Sequence, residues 1–296
     1  MSRAALFALV ASSVLVASSA FAGAAQAQQI CCAPSAPPPA GLRGYAQPDY
    51  SAYPQQQYAP PQYGERPSPS GLRGRIGVEY GKTRANPDTP SPRTETWTAE
   101  GAVSTQMGGF GVQGDLKVAD RSGPDGTSWS PTAHIFKRNP YGLIGGWVGY
   151  SGADGADLFG LGLEGQAYMH SATLYGSVGY GHVDDVTNRS LWAARLEGRY
   201  FVTENLMLNL QGGLVRTSEA GAHTTVRTVG FGAEYQPGAL PFSVQAGYSH
   251  ADASNSSAES DTIRIGLRWN LTGGTLAERD RLGTTLNNVT DLFLLN

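Results

Sequence analysis

From Gly71 onward the chain alternates apolar and polar residues with a period of two, the spacing that puts successive side chains on opposite faces of a β-strand. About twelve such runs can be marked, at roughly 72–83, 94–106, 109–120, 128–138, 141–151, 157–170, 171–182, 189–202, 205–217, 223–236, 240–250 and 260–272. The last is among the cleanest. Ile263, Ile265, Leu267, Trp269 and Leu271 share one face, and Thr262, Arg264, Gly266, Arg268 and Asn270 share the other. The same parity collects Ile76, Val78 and Tyr80 on one face, then Phe110, Val112 and Leu116, then Phe159, Leu161 and Leu163. Further along it collects Trp192, Leu196 and Tyr200, and then Val229, Phe231 and Tyr235. One run resists: in 141–151, Leu143, Ile144, Trp147 and Val148 occupy both parities.

The connections between runs alternate in length. Met107-Gly108, Asn139-Pro140, the His170/Ser171 junction, Thr203-Glu204 and Pro237-Gly238-Ala239 are tight. Between them lie longer links rich in Pro, Gly, Asp, Asn and Ser, at 84–93, 121–127, 152–156, 183–188, 218–222 and 251–259. Tight turns on one rim and long loops on the other are the habit of membrane-spanning barrels, whose strands cross in roughly 9–11 tilted residues. A soluble two-sheet sandwich would also show regular short strands. Two features count against it: the polar faces are rich in glycine, and Trp and Tyr gather toward the ends of runs, as interfacial girdles require.

The chain opens with Arg3, an apolar stretch from Ala4 to Ala17 and a small-x-small site at Ala25-Gln26-Ala27. That is the layout of a secretory signal, and it places a mature start near Gln28. Cys31 and Cys32, the only cysteines, follow directly. A bridge between sequence neighbours is strained, so a free pair or an intermolecular link is expected of them in an oxidising compartment. Residues 33–70 are dense in Pro, Gln and Tyr and have no apolar period, which reads as extended, disordered linker. The formal net charge of −3 and the charged fraction of 15% argue against a nucleic-acid partner.

From Arg264 to Leu271 the last run also spells polar-x-Gly-x-x-aromatic-x-apolar, with Gly266 and Trp269 at the marked positions. This resembles the closing-strand assembly signal of bacterial outer-membrane β-barrels. With the secretory start and the alternating strands, the chain resembles porin-like barrel proteins of Gram-negative bacteria. The resemblance implies an all-β fold, an antiparallel transmembrane β-barrel of about twelve strands over 71–272. Residues 1–27 would be the signal peptide and 28–70 a disordered, Pro-rich periplasmic arm. It also implies a place in the outer membrane with both termini periplasmic. The partners would then be outer-membrane lipid and lipopolysaccharide, the barrel-assembly machinery through the closing strand, and a cell-wall or envelope protein.

After Leu271 the period changes. Thr275-Leu276-Ala277-Glu278 has the form of a capping box, and Leu282, Leu286, Val289 and Phe293 recur at helical spacing. Residues 273–296 are therefore expected to form a short amphipathic helical tail that packs on the periplasmic rim or partly closes it.

Catalytic signals are poor. Gly160 to Gly165 fits G-x-G-x-x-G but lies inside a strand pattern rather than opening a helix. His182, Asp184 and Asp185 at a loop edge lack the second acidic pair that an omptin-like protease needs. No catalytic residue, metal ligand or cofactor is assigned, and an enzyme is not expected.

The polar face carries more information. Glu79, Glu100, Asp115, Glu164, Glu197 and Glu234 fall there, as do Arg75, Lys117, Arg195, Arg199, Arg264 and Arg268. An Arg facing lipid at mid-depth costs about 2–4 kcal/mol, so these charges are expected to line the lumen. Paired across neighbouring strands they would staple the wall; segregated, they would set a field across a water-filled pore. Twelve strands lie between the filled eight-stranded barrel and the open sixteen-stranded one. Abundant inward glycine then favours a narrow pore; the near-balanced wall charge predicts weak ion selectivity, with acidic loops (Asp88, Asp125, Asp154, Asp184, Asp185, Asp252) biasing it modestly toward cations. The leading reading is a porin-like channel for passive diffusion of small hydrophilic solutes or ions. Its rival is a non-conducting structural or adhesive barrel that binds an envelope partner through its loops or its Pro-rich arm.

Overall fold

The computed structural model describes residues 71–85, 93–107, 109–122, 126–153, 156–185, 189–219, 222–238, 240–254 and 258–293. The signal, the Pro-rich arm, Cys31, Cys32, Asp88, Asp125 and Asp154 lie outside them.

Twelve strands close into one antiparallel barrel. They are β1 (Arg73–Ala85), β2 (Thr94–Met107), β3 (Phe110–Arg121), β4 (Thr127–Asn139), β5 (Gly142–Ala153) and β6 (Ala156–Tyr168), then β7 (Ala172–Asp184), β8 (Arg189–Thr203), β9 (Leu206–Glu219), β10 (Ala222–Tyr235), β11 (Phe242–Ser254) and β12 (Glu259–Asn270). Each pairs with its sequence neighbours, and β12 returns to β1 with Trp269 opposite Ile76 and Ile265 opposite Tyr80. Closure satisfies the backbone of every strand and leaves no edge, which is what a lipid environment demands.

The alternation sets the two faces. Ile263, Ile265, Leu267 and Trp269 are more than half exposed, as are Phe159, Leu161, Leu163, Phe231 and Leu210. The fifth run also resolves. Ile144 and Val148 face outward, while Leu143 and Trp147 are buried inside. Tight connections collect on one rim. There Asn139 Oδ1 accepts from the Tyr141 and Gly142 amides at 2.8 and 2.9 Å, and Gly109 takes a φ of 89°, a conformation that glycine adopts without strain.

Beyond β12 the chain forms α1 (Leu276–Leu282) and α2 (Val289–Leu292). The Thr275/Glu278 capping box is present, and a second one, Asn288/Asp291, opens α2. A single helix through the stripe is not formed, because residues 283–288 give their backbone to the wall instead. Gly283 O accepts from Arg138, Thr284 O from Arg75 and Leu286 O from Gln113, at 3.1, 2.6 and 3.2 Å. Each of these bonds to an inward side chain replaces one that the helix would have made.

α1 lies at the turn rim, where the Ala277 amide donates to Glu204 O and the Arg281 guanidinium to Met169 O and His170 O. From there the chain enters the lumen. Leu286 joins Phe136, Leu143 and Tyr175. Val289, Leu292 and Phe293 join Trp147, Leu158, Val183, Leu191, Ala193 and Val215. Removing each large apolar side chain from water stabilises by about 1.5–3 kcal/mol, so this half of the interior is a core.

Candidate functional site: the lumen beside the tail

Every strand contributes every second residue to the lumen, so the inner surface follows from strand parity. It divides in two.

Against β4 to β8 the tail fills the space, and the wall is shaped for it. A Cβ at Gly149 would lie 2.6 Å from Val289, at Gly160 2.7 Å from Phe293, and at Gly181 2.8 Å from Phe293. Trp147 lies over Gly162 and Gly179 and meets Phe293 edge-on, with ring centroids 6.1 Å apart. The G-x-G pair at Gly160 and Gly162 therefore makes room for two aromatic rings rather than for a phosphate. Polar groups fix the tail's height. Asp280 accepts from Arg199 at 2.7 Å and from Thr173 at 2.5 Å. Lys117 reaches Asp291 at 2.8 Å, Asn288 donates to Ser130 O at 2.9 Å, and the Val289 amide donates to Thr132 at 3.0 Å.

Against β1 to β3 and β8 to β12 a cavity of about 230 Å³ remains. Glu79, Glu100, Lys117, Arg195, Glu197, Arg199, Glu234, Arg264 and Arg268 line it, together with Arg75. The charges are paired. Arg268 binds Glu100 at 3.1 Å and Glu234 at 2.8 Å. Arg199 and Arg195 bind Glu197 at 2.8 and 3.0 Å, while Arg264 stands 3.9 Å from Glu79. Glycine permits one of these contacts: Gly77 lies between Glu100 and Arg268 in the register, and a Cβ there would come within 2.9 Å of the Glu100 side chain. The tail adds Arg279, Asp280 and Asp291 to the lining. Burial pulls the Arg279 guanidinium down to about 10, against the pull of Glu234 at 3.7 Å.

Asp115 and Glu164 also face inward but are absent from this cavity. They hold His134 between them, with Nε2 2.9 Å from Asp115 and Nδ1 2.6 Å from Glu164. Gln113 and Tyr175 complete the chain by donating to Asp115 at 2.9 Å and to Glu164 at 3.2 Å. Sequence reading passed over His134, although its parity with Thr132 and Phe136 marks it as inward. It also passed over Asp280 and Asp291, whose role depends on where the tail goes. Among the described residues no group of three or more His, Cys, Asp or Glu is placed to hold a metal ion. His182 and Asp184 are exposed, and Asp185 is tied to Arg189, so they do not converge on a cleft.

The family model for Gram-negative porins matches residues 103–279, more than half of the chain. The chain belongs to that family. Its place is the outer membrane, and its class is that of outer-membrane channels. Solved barrels share the fold at low identity. An outer-membrane channel of Pseudomonas putida F1 has a TM-score of 0.51 and 12% identity, over 68% of this chain and 95% of that one. The porin NanC has a TM-score of 0.50 and 9% identity, over 66% of this chain and 100% of that one. No curated protein matches the sequence. Among the described residues no helix is long and apolar enough to cross a membrane; the strands do so instead.

Proposed function

We propose that this porin passes small hydrophilic solutes or ions by passive diffusion along the part of the lumen that the tail leaves open. The observation that carries the reading is the charged cavity between the tail and β1 to β3 and β8 to β12. A wall of ion pairs offers solute a polar path, while the alternating outer face meets lipid. Eight bases and six acids line the cavity. That near-balance predicts weak selectivity with a slight preference for anions at the narrow part, opposed at the mouth by acids near the strand ends such as Asp252 of β11. We place the turn rim, with α1 and the start of β1, on the periplasmic side, and give β12 the role of contact for the assembly machinery.

The test is planar-bilayer recording with the purified, folded, full-length protein. Discrete conductance steps that pass small sugars and salts are expected. Silence from a barrel shown by circular dichroism to be folded would overturn passive diffusion through the resting protein.

A further inference from the structure

Resting on that reading, we infer that the C-terminal tail is the selectivity element of the channel: it sets the bore through α2 and Phe293, and the charge of the path through Asp280 and Asp291. Three independent observations converge on it. The glycines facing the tail leave room for it and for nothing larger. At Gly149 and Gly160 a single added carbon would stand 2.6 Å from Val289 and 2.7 Å from Phe293. The wall behind the tail is apolar, with Trp147, Leu158 and Leu191 turned inward, a surface that an aqueous path would leave unsatisfied. The carboxylates of Asp280 and Asp291 are spent on Arg199 and Lys117, two cations that also line the cavity.

The consequence is electrostatic as well as steric. The tail supplies one base and two acids to the lining, so the strands alone carry seven bases against four acids. A path along the bare wall would therefore be wider and more basic, since this lining would carry a net of three positive charges against two with the tail seated. With the tail seated it is narrower and less basic. The tail thus sets the bore and tempers the preference for anions by contributing a surface of its own.

Two full-length variants separate the roles. Gly149→Val with Gly160→Val places methyl groups where Val289 and Phe293 sit, while keeping residues suited to strands. In planar bilayers its unit conductance should rise roughly twofold or more, as expected when a filled half of the lumen opens to water, and trypsin should cut at Arg279 and Arg281 far faster than in the parent. Asp280→Asn with Asp291→Asn keeps the volume and removes two negative charges. Its reversal potential in a potassium chloride gradient should shift toward chloride relative to the parent's. Unchanged conductance in the glycine variant, or an unchanged reversal potential in the asparagine variant, would overturn the inference and leave the channel reading standing. A silent parent beside a conducting glycine variant would support the tail's role while refuting diffusion through the resting protein. Silence from all three folded proteins would overturn both.

Discussion

On the inner face of β4 to β8 the expected polar residues Glu164, Arg195, Glu197 and Arg199 are joined by Phe136, Leu143, Trp147, Leu158, Tyr175, Val183, Leu191 and Ala193. From β10 through β12 to β2 the inner face keeps Glu234, Gln245, Arg264, Arg268, Glu79 and Glu100, spaced by glycine. Both arcs belong to one barrel and present the same greasy surface to lipid. The difference lies in what faces them across the lumen. The first arc faces a chain segment and packs against it as a core does; the second faces open space and holds its charges in pairs. Glycine serves the two arcs differently as well. Beside the tail it removes a Cβ that would strike a ring, and on the open side it lets charged side chains meet across an intervening strand.

That contrast can be broken from the tail side first. Arg199→Ala leaves the nearly buried Glu197 with Arg195 as its one cation and Asp280 with the Thr173 hydroxyl in place of a cation, and removing one partner of a buried pair costs about 3–5 kcal/mol. Arg264→Ala, whose partner Glu79 is 3.9 Å away and more exposed, should cost about 1 kcal/mol or less. Urea unfolding of the detergent-solubilised barrel, followed by tryptophan fluorescence, would show the ranking; equal losses would deny that the two arcs differ. Phe293→Ala comes next. It empties the space beneath Trp147 and should cost about 3 kcal/mol, visible as tryptic cleavage of the tail at lower urea than in the parent. The smallest effects sharpen the comparison. Gly181→Ala adds a carbon 2.8 Å from Phe293 and should cost about 1–3 kcal/mol through overpacking. Gly81→Ala on the open arc meets nothing nearer than 3.6 Å and should stay within about 0.5 kcal/mol. A destabilisation at Gly81 to match that at Gly181 would show that its backbone, and not the tail, sets the glycine requirement.

The strands, their parity and the lipid-facing residues were legible in the chain because each depends on neighbours two residues apart. One short-range polar signal was legible too, the Thr275/Glu278 cap, whereas the pairing of Glu197 with the arginines two positions to either side of it runs along one strand and not across neighbouring ones as expected. The mixed pattern of the fifth run was a true signal without an address. Leu143 and Trp147 announced that something apolar lay inside, and Leu286, Val289 and Phe293 were the matching stripe. Nothing local joins the two, because they are separated by more than a hundred residues.

By itself the sequence determined a closed sheet that shows its apolar face to lipid and folds its charges inward, since a two-residue period and a bilayer admit little else. Only the tertiary structure decided that the tail enters the lumen instead of resting on the rim, that Asp115 and Glu164 clasp His134, and that Arg268 reaches Glu100 over Gly77. Those choices turn on which strands curve round to face one another, and curvature brings together residues that no local period connects.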